Sequence, residues 1–475
     1  MAESTAAALR THLDDISQRI LEQKQLLAQL QAYENQVRSE LHRVASYPIL
    51  DLPPEILSEV FINCLPDPDN ISANVHQAPL LLMAVCRTWA RIALATPALW
   101  ESLEISGYEW EDQDLLDVMD LWFRGPLTRR LSLTGEIEPS ELPRFMETFV
   151  KHSAKMAFLS VDLAEATFPL FKKYPLIVPE LLELQLSGTN HAEVPERFVV
   201  IAPKLKEVQL DAIYPCDVAL PWNQLTKLTL QSYSFLHLFD ALRLAPNISH
   251  LEVTVSDIGN ERIPTQATVT LPNIRHLRLV QVGSARPQIP ILHFLALPNL
   301  EYLETNEPSI DETFLGAFVV RSAAPPLKTL RFHPYCTSTK LLIMVLHSMS
   351  QLVELEMRFP PQKFVTKFFE RFPVEVSLLP NLCALSVVCR ERGSEVSLVE
   401  LTRIMGPAVY QRNANPKTTT KIQSLRLEVS APPWAMFQIT ESYLKPYQRL
   451  RDEGLDIYLG TQDAAFEAGG AFQLR

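Results

Sequence analysis

The sequence predicts an α/β repeat protein: one long N-terminal helix, a small helical module, then an irregular array of short strands with helical or irregular returns. Three observations predict it. Apolar side chains recur at alternating spacings of three and four from residue 9 to residue 44. Two short amphipathic stretches flank a loop rich in Pro, Asp and Asn between residues 50 and 95. From Trp100 onward a short phrase returns: an apolar residue, two others, Leu, one other, an apolar residue.

The first stripe runs through Leu9, Leu13, Ile16, Ile20, Gln23, Leu27, Leu30, Glu34, Val37, Leu41 and Val44; nine of the eleven are apolar, and neither Pro nor Gly interrupts. Five heptads make a coiled-coil seam. Two readings stand at this point. The helix joins a second copy through residues 9–44 as a homodimer, or it packs back on its own chain. Gln23 and Glu34 sit on the seam and would weaken a long dimer or set its register.

After Tyr47-Pro48 the pattern changes. Asp51-Leu52-Pro53-Pro54-Glu55 reads as a helix start, with prolines in the first turn and an acid near the positive end of the helix dipole. Ile56, Leu57, Val60 and Phe61 then form one apolar stripe. Beyond the loop at 66 to 79, a second helix is predicted from Pro79-Leu80 through Val85, Cys86, Trp89, Ile92 and Ala93. Arg87 and Arg91 take its polar side, and it stops before Thr96-Pro97.

Four ordered blocks in this segment closely resemble the F-box, in the form abundant in mushroom-forming fungi. They are Leu52-Pro53-Pro54-Glu55-Ile56-Leu57-Ser58-Glu59-Val60-Phe61, Ala78-Pro79-Leu80-Leu81-Leu82, Val85-Cys86-Arg87-Thr88-Trp89 and Ala95-Thr96-Pro97-Ala98-Leu99-Trp100. The long loop is the departure, and that fungal form also tends to carry one. The resemblance implies docking onto a Skp-family adaptor and, through it, a cullin. The docking set it implies is Leu52, Pro53, Ile56, Leu57, Val60, Phe61, Leu80, Leu82, Val85, Cys86 and Trp89. Physical reasoning points the same way, because so small a module cannot bury this many large apolar side chains alone. Trp100 would both close this module and open the first strand.

The repeated phrase falls at Trp100/Leu103/Ile105, Met156/Leu159/Val161, Leu181/Leu184/Leu186, Leu205/Val208/Leu210, Leu225/Leu228/Leu230 and Ile248/Leu251/Val253. It continues at Ile274/Leu277/Leu279, Leu300/Leu303, Leu327/Leu330/Phe332, Leu352/Leu355/Met357, Leu382/Leu385/Val387 and Ile422/Leu425/Leu427. Between Leu181 and Leu382 the starts lie 20 to 30 residues apart, the period of a leucine-rich repeat. Apolar helix-like runs intervene at 141–154, 235–244, 311–320, 341–349 and 365–372. The Asn or Cys usual at the ninth position is replaced by Thr189, Ile213, Tyr233, Ser256 and Val282, which predicts no regular asparagine ladder. The expected architecture is therefore an N-terminal helix (1–46), an F-box domain (47–105), an irregular leucine-rich-repeat solenoid (106–460) and a flexible tail (461–475).

Alternation puts polar residues on the outward face of nearly every strand. Gln185, Gln209, Glu252, Arg278, Glu304, Arg331 and Glu356 are the candidate contacts for a protein substrate, with His276, Arg278, Arg331 and His333 making the middle more basic. The alternative is a solvated face whose neighbouring loops make the contacts.

The net charge of −12 opposes general nucleic-acid or anionic-membrane binding. No apolar run approaches the roughly 20 residues needed to span a bilayer. The start, MAESTAAALRTHLDD, lacks the order of a signal peptide. Six dispersed cysteines, none in a Cys-x-x-Cys pair, read as reduced thiols, so the Asn-x-Ser matches at Asn70 and Asn247 carry little weight and the protein is expected in cytoplasm or nucleus. Only 13 glycines leave few phosphate loops, and no dinucleotide fingerprint, Walker loop, nucleophile elbow or His-Glu-x-x-His is present. Cys383 and Cys389 lack a nearby His pair, and Asp14-Asp15 and Glu111-Asp112 read as solvated carboxylates. No catalytic residue, metal or cofactor is expected. The two functions in play are a ubiquitin-ligase adaptor and a repeat-built interaction scaffold without a ubiquitin role.

Overall fold

The computed structural model describes residues 2–44, 49, 52–67, 71–106, 114–135, 142–163, 175–188, 197–233, 235–255, 268–282, 290–306, 310–334, 337–390, 398–430 and 441–461. The chain divides into two compact units, Met1–Trp100 and Glu101–Arg475.

The first unit is helical: α1 (Ala2–Val44), α2 (Pro54–Ile62), α3 (Leu80–Val85), α4 (Arg87–Ala95) and a 3-10 turn at Pro97–Trp100. Every side chain described along α1, from residue 12 to residue 40, is exposed. Leu13, Ile20, Leu27 and Leu30 keep 50 to 66% of their surface, so the described residues leave this stripe uncovered. Pro53 flanks α2 in an extended conformation, Pro54 occupies its first turn, where the missing N–H costs nothing, and Glu55 faces the positive end of its dipole. Leu57 and Phe61 point inward, and the Phe61 ring lies 4.9 Å from that of Trp89 on α4. The hydroxyls of Ser58 and Thr96 meet at 2.9 Å, and the Trp100 indole donates to the Ala93 carbonyl at 2.8 Å.

The second helix expected in this unit is two helices. Cys86, extended at φ −161° and ψ 167°, separates α3 from α4. No Pro or Gly marks the break. The contacts that hold α4 in place are tertiary, Trp89 against Phe61 and the buried Ile92 and Ala93, and they override local propensity.

Among the described residues of the second unit, fourteen strands form one sheet whose neighbours follow in chain order. They are Ser102–Ser106, Arg129–Gly135, Met156–Leu163, Glu183–Gly188, Glu207–Asp211, Lys227–Tyr233, His250–Val255, His276–Gln281, Tyr302–Thr305, Thr329–Phe332, Glu354–Arg358, Ala384–Arg390, Ser424–Ser430 and Asp456–Thr461. Every neighbouring pair is parallel. The first strand thus belongs with the sheet, so the division falls before residue 105. Thr461, expected to begin a tail, ends the last strand; residues 462–475 lie outside the described residues.

One inward row holds the sheet together. Leu103, Leu131, Leu159, Leu184, Val208, Leu228, Leu251, Leu277, Leu303, Leu330, Leu355, Leu385 and Leu425 are in register and at most 2% exposed. A strand with one apolar face cannot bury it alone, so each leucine is covered by its neighbours and by the helices behind. Helices stand at Leu142–His152, Phe235–Leu244, Glu312–Arg321, Thr339–Ser348 and Gln362–Arg371, close to the five runs expected from sequence. Three further helices, Asp114–Trp122, Leu398–Ala414 and Glu441–Asp452, were not expected, and the last two contain Pro407 and Pro446.

The helix with Pro407 persists because a tyrosine enters its ladder. The Gly406 N–H donates to Tyr447 Oη at 3.0 Å, and that hydroxyl donates to the Thr402 carbonyl at 3.1 Å. The phenol thus sits inside the i to i−4 bond next to the proline. Gly406 is required there, since a Cβ would come 2.5 Å from the Tyr447 ring. Nearby, Arg412 is 1% exposed and donates to the carbonyls of Phe372, Glu375, Val376, Leu378 and Leu379 at 2.7 to 3.3 Å.

Asparagines do recur in the array, away from the ninth position where the sequence lacks them. Side-chain amides line up at the strand entrances instead of the ninth position. Asn247 donates to Asn223 O at 2.7 Å, Asn273 to Pro246 O at 3.2 Å, Asn299 to Pro272 O at 2.8 Å and Asn381 to Ser350 O at 2.9 Å. The recurring Pro-Asn pair before the strand is the signal that would have found them. At the ninth position the Tyr233 hydroxyl takes a comparable role, donating to the Ile213 carbonyl. Thr189 and Ser256 lie outside the described residues.

Candidate functional site

Two surfaces collect the residues singled out from sequence, one in each unit. In the helical unit the docking set divides by burial. Leu57, Phe61 and Leu82 are 1, 0 and 5% exposed, which makes them the core of the module and not its surface. They were expected at the interface because a stripe read from sequence does not say which of its members face inward. Leu52, Leu80, Cys86 and Trp89 are half-buried, and Pro53 is exposed. Ile56, Val60 and Val85 keep 50, 39 and 54% of their surface. Leu81, left out of the docking set, is 44% exposed; its place in the Leu80-Leu81-Leu82 run is the signal for it. These side chains present apolar surface that the rest of the described unit leaves open, the kind of anchor that dominates protein interfaces.

In the sheet unit all seven candidate contacts fall in one register row on the polar face. Gln185 pairs in register with Gln209, Thr229 follows, then Glu252, Arg278, Glu304, Arg331 and Glu356. Parallel pairing explains this, because the outward residue after the recurring phrase Leu stays aligned from strand to strand, and the one slip among these strands, between Val253 and Val255, falls beyond the row.

The middle of this row is a closed charge network. Arg278 reaches Glu252 and Glu304 at 3.5 Å each. Arg358 lies 3.0 Å from Glu304 and 2.5 Å from Glu356, and Arg331 lies 2.8 Å from Glu354 and 3.7 Å from Glu356. Three guanidiniums therefore face four carboxylates, and the basic middle expected from sequence is compensated. Tyr302 Oη donates to Glu304 at 2.6 Å. Burial alone would raise the Glu304 carboxyl, but Tyr302, Arg358 and Arg278 outweigh it and hold the group below its ordinary value. Burial also dominates at His276, with His250 beside it, and pushes that imidazole down, which favours a neutral ring at pH 7. The rings of His250, His276 and Tyr302 stack in sequence at 5.4 and 3.9 Å. His333, the other cation expected in the middle, is half-buried with its ring 5.6 Å from Phe359.

Arg358 was missed from sequence. Its alternation with Glu354 and Glu356 along a single strand, all on one face, would have revealed it. The first strands of the row differ from the middle: Gln185 donates to Glu183 at 3.1 Å, and Lys227 pairs with Glu207 at 3.3 Å across half-exposed positions.

The two thiols weighed as metal ligands each face a backbone oxygen. Cys383 Sγ lies 3.5 Å from Asn381 O and Cys389 Sγ 3.5 Å from Glu428 O, and burial pushes the Cys389 thiol up to about 12. Among the described residues no group of three or more His, Cys, Asp or Glu is placed to hold a metal ion, and no helix is long and apolar enough to cross a membrane. No protein-family model matches the chain, and no curated protein matches it either.

Proposed function

We propose that the chain is an F-box protein of the fungal type its sequence resembles, a substrate-recognition adaptor of a Skp-cullin-F-box ubiquitin ligase that works in cytoplasm or nucleus. The observation that carries this reading is the coincidence of four sequence blocks with four consecutive structural pieces. The first block covers α2, the second leads into α3, the third crosses into α4, and the fourth makes the closing 3-10 turn. Ile56, Val60, Leu81 and Val85 offer the apolar surface that a Skp-family adaptor would cover. The second unit, read as an irregular leucine-rich-repeat solenoid, supports the other half of the role. Its parallel strands follow in chain order, and its polar row is an extended surface able to hold a protein substrate. Chemistry is then left to other subunits, and the adaptor contributes positioning.

The test is co-purification of the full chain with a Skp-family protein, wild type against Leu52→Ala/Pro53→Ala/Trp89→Ala. Capture by the wild type and loss in the triple variant are expected. Failure of both to bind would refute the adaptor role and leave a repeat-built scaffold without a ubiquitin function. That outcome would also predict bound partners whose abundance ignores proteasome inhibition.

A further inference from the structure

α1 carries a strip of apolar surface that nothing else in the described chain covers. Ile16, Ile20, Leu26, Leu27 and Leu30 are 43 to 57% exposed, and Tyr33 and Val37 extend the strip at 65 and 44%. In heptad terms Ile20, Leu27 and Glu34 take the a positions, and Ile16, Gln23, Leu30 and Val37 the d positions. The flanking g positions are Arg19, Leu26, Tyr33 and Glu40, and the e positions Ser17, Lys24, Gln31 and Arg38.

The geometry points to an antiparallel coiled coil between α1 and the α1 of a second copy of this chain, centred between Leu27 and Leu30. The two polar interruptions of the seam decide the direction. In a parallel pair each seam residue meets its own copy, so two Glu34 carboxylates would face each other inside the interface. The flanks would oppose as well, because Arg19 would lie beside Lys24 of the second copy. Reversing one helix removes both conflicts. With Leu27 opposite Leu30 of the second copy, Gln23 falls opposite Glu34 and Ile20 opposite Val37. The Gln23 amide can then donate to a carboxylate that Arg38 already holds at 3.0 Å in its own helix. On the flanks, Arg19 falls beside Glu40 and Leu26 beside Tyr33. Twofold symmetry makes every one of these contacts occur twice. Residues 17–40 overlap completely in this register, about 36 Å of helix at about 1.5 Å per residue. The inference stands apart from the ligase reading, since it uses only α1.

Sedimentation of the full chain across micromolar concentrations tests it. A dimer is expected, and Leu27→Asp should abolish it. Glu40→Lys sets a lysine beside Arg19 in both flanks and should weaken the dimer roughly five- to tenfold. Arg19→Glu alone should weaken it comparably, and Arg19→Glu/Glu40→Lys should restore wild-type affinity. A parallel dimer behaves oppositely, because Arg19→Glu would then gain Lys24 and tighten. The proposal is overturned by a chain that stays monomeric at tens of micromolar, by a dimer that Arg19→Glu tightens, or by one indifferent to Leu27→Asp.

Discussion

The proposed docking surface predicts a separation between binding and stability. Ile56, Val60 and Val85 are 50, 39 and 54% exposed, so roughly half of each side chain remains for a partner to cover. Complete burial of a Val or Ile side chain is worth about 1.5–3 kcal/mol, which leaves about 1 kcal/mol per residue for docking. Replacing all three by Ala should therefore weaken binding of a Skp-family adaptor by about 3 kcal/mol, on the order of 150-fold in Kd. The same change should lower the urea midpoint of the free chain less than Phe61→Ala does, because only the covered half of each side chain is lost from the fold and the higher helix propensity of Ala offsets part of that loss. Phe61→Ala is the converse: at 0% exposure it should cost about 3–5 kcal/mol of folding stability. Calorimetric titration of the adaptor, beside urea unfolding of each variant, reads both effects. A folded triple variant that binds within twofold of wild type would refute the assignment of these three residues. A triple variant that unfolds would refute the burial argument beneath it.

Two further predictions concern the sheet unit. Arg412→Met keeps the aliphatic stem but removes a donor from five carbonyls between Phe372 and Leu379, of which Glu375 O and Leu379 O keep a backbone N–H, so stability should fall by about 3 kcal/mol in urea unfolding. A loss below about 1 kcal/mol would mean that water replaces the guanidinium without cost. Glu304 titrates below its ordinary 4.5 in the folded chain, so its contribution is fully present above that value and is lost as pH falls through the depressed folded value. Glu304→Gln should be less stable than wild type at pH 7 and should lose less on acidification, the two curves converging as pH falls through the depressed folded value. Parallel stability curves from pH 7 to pH 3 would show that the carboxylate is not the acid-sensitive group.

How far the fold could be read from sequence depended on whether a residue's role was local. Strands with a leucine at the fourth place of the phrase were legible because a period of two is a property of the strand itself. The strands at Arg129–Gly135 and Asp456–Thr461 escaped because Thr128 and Gly454 stand where the phrase has an apolar residue, although Leu131 and Ile457 take their places in the inward row. Two helices escaped for a different reason. Pro407 and Pro446 argue against a helix in isolation, and at the first of them Tyr447, 41 residues from Gly406, bonds the groups beside the proline. The break at Cys86 has the same character, since it is set by packing against α2. In the docking set, sequence identified the apolar stripe but could not separate Leu57 and Phe61 from Ile56 and Val60, which differ only in which side of α2 they occupy.

The polar row makes the same distinction matter for recognition. Its residues were legible one by one through alternation, yet their pairing across strands was not, and pairing decides what a ligand can use. Glu304 has only 9% of its side chain exposed and is bonded to Arg278, Arg358 and Tyr302, so a partner that drew either arginine away would leave a buried carboxylate with one of its two cations lost. That loss opposes recognition by exchange of ion pairs in the middle of the row, and favours a partner that fits over the network and reads its stacked His250, His276 and Tyr302 rings. Gln185 and Gln209 face the opposite situation. They are uncharged and half-exposed, and they can exchange water for a partner's amides at little cost. On the proposed substrate-binding reading, polar contacts should therefore concentrate at the early strands and shape complementarity at the middle. Alanine substitutions along the row, scored by substrate capture, would separate the two: Gln185→Ala/Gln209→Ala should act on binding alone, whereas Glu304→Ala should lower stability together with binding. Equal effects on binding at both ends, with stability unchanged throughout, would show that the network does not constrain recognition.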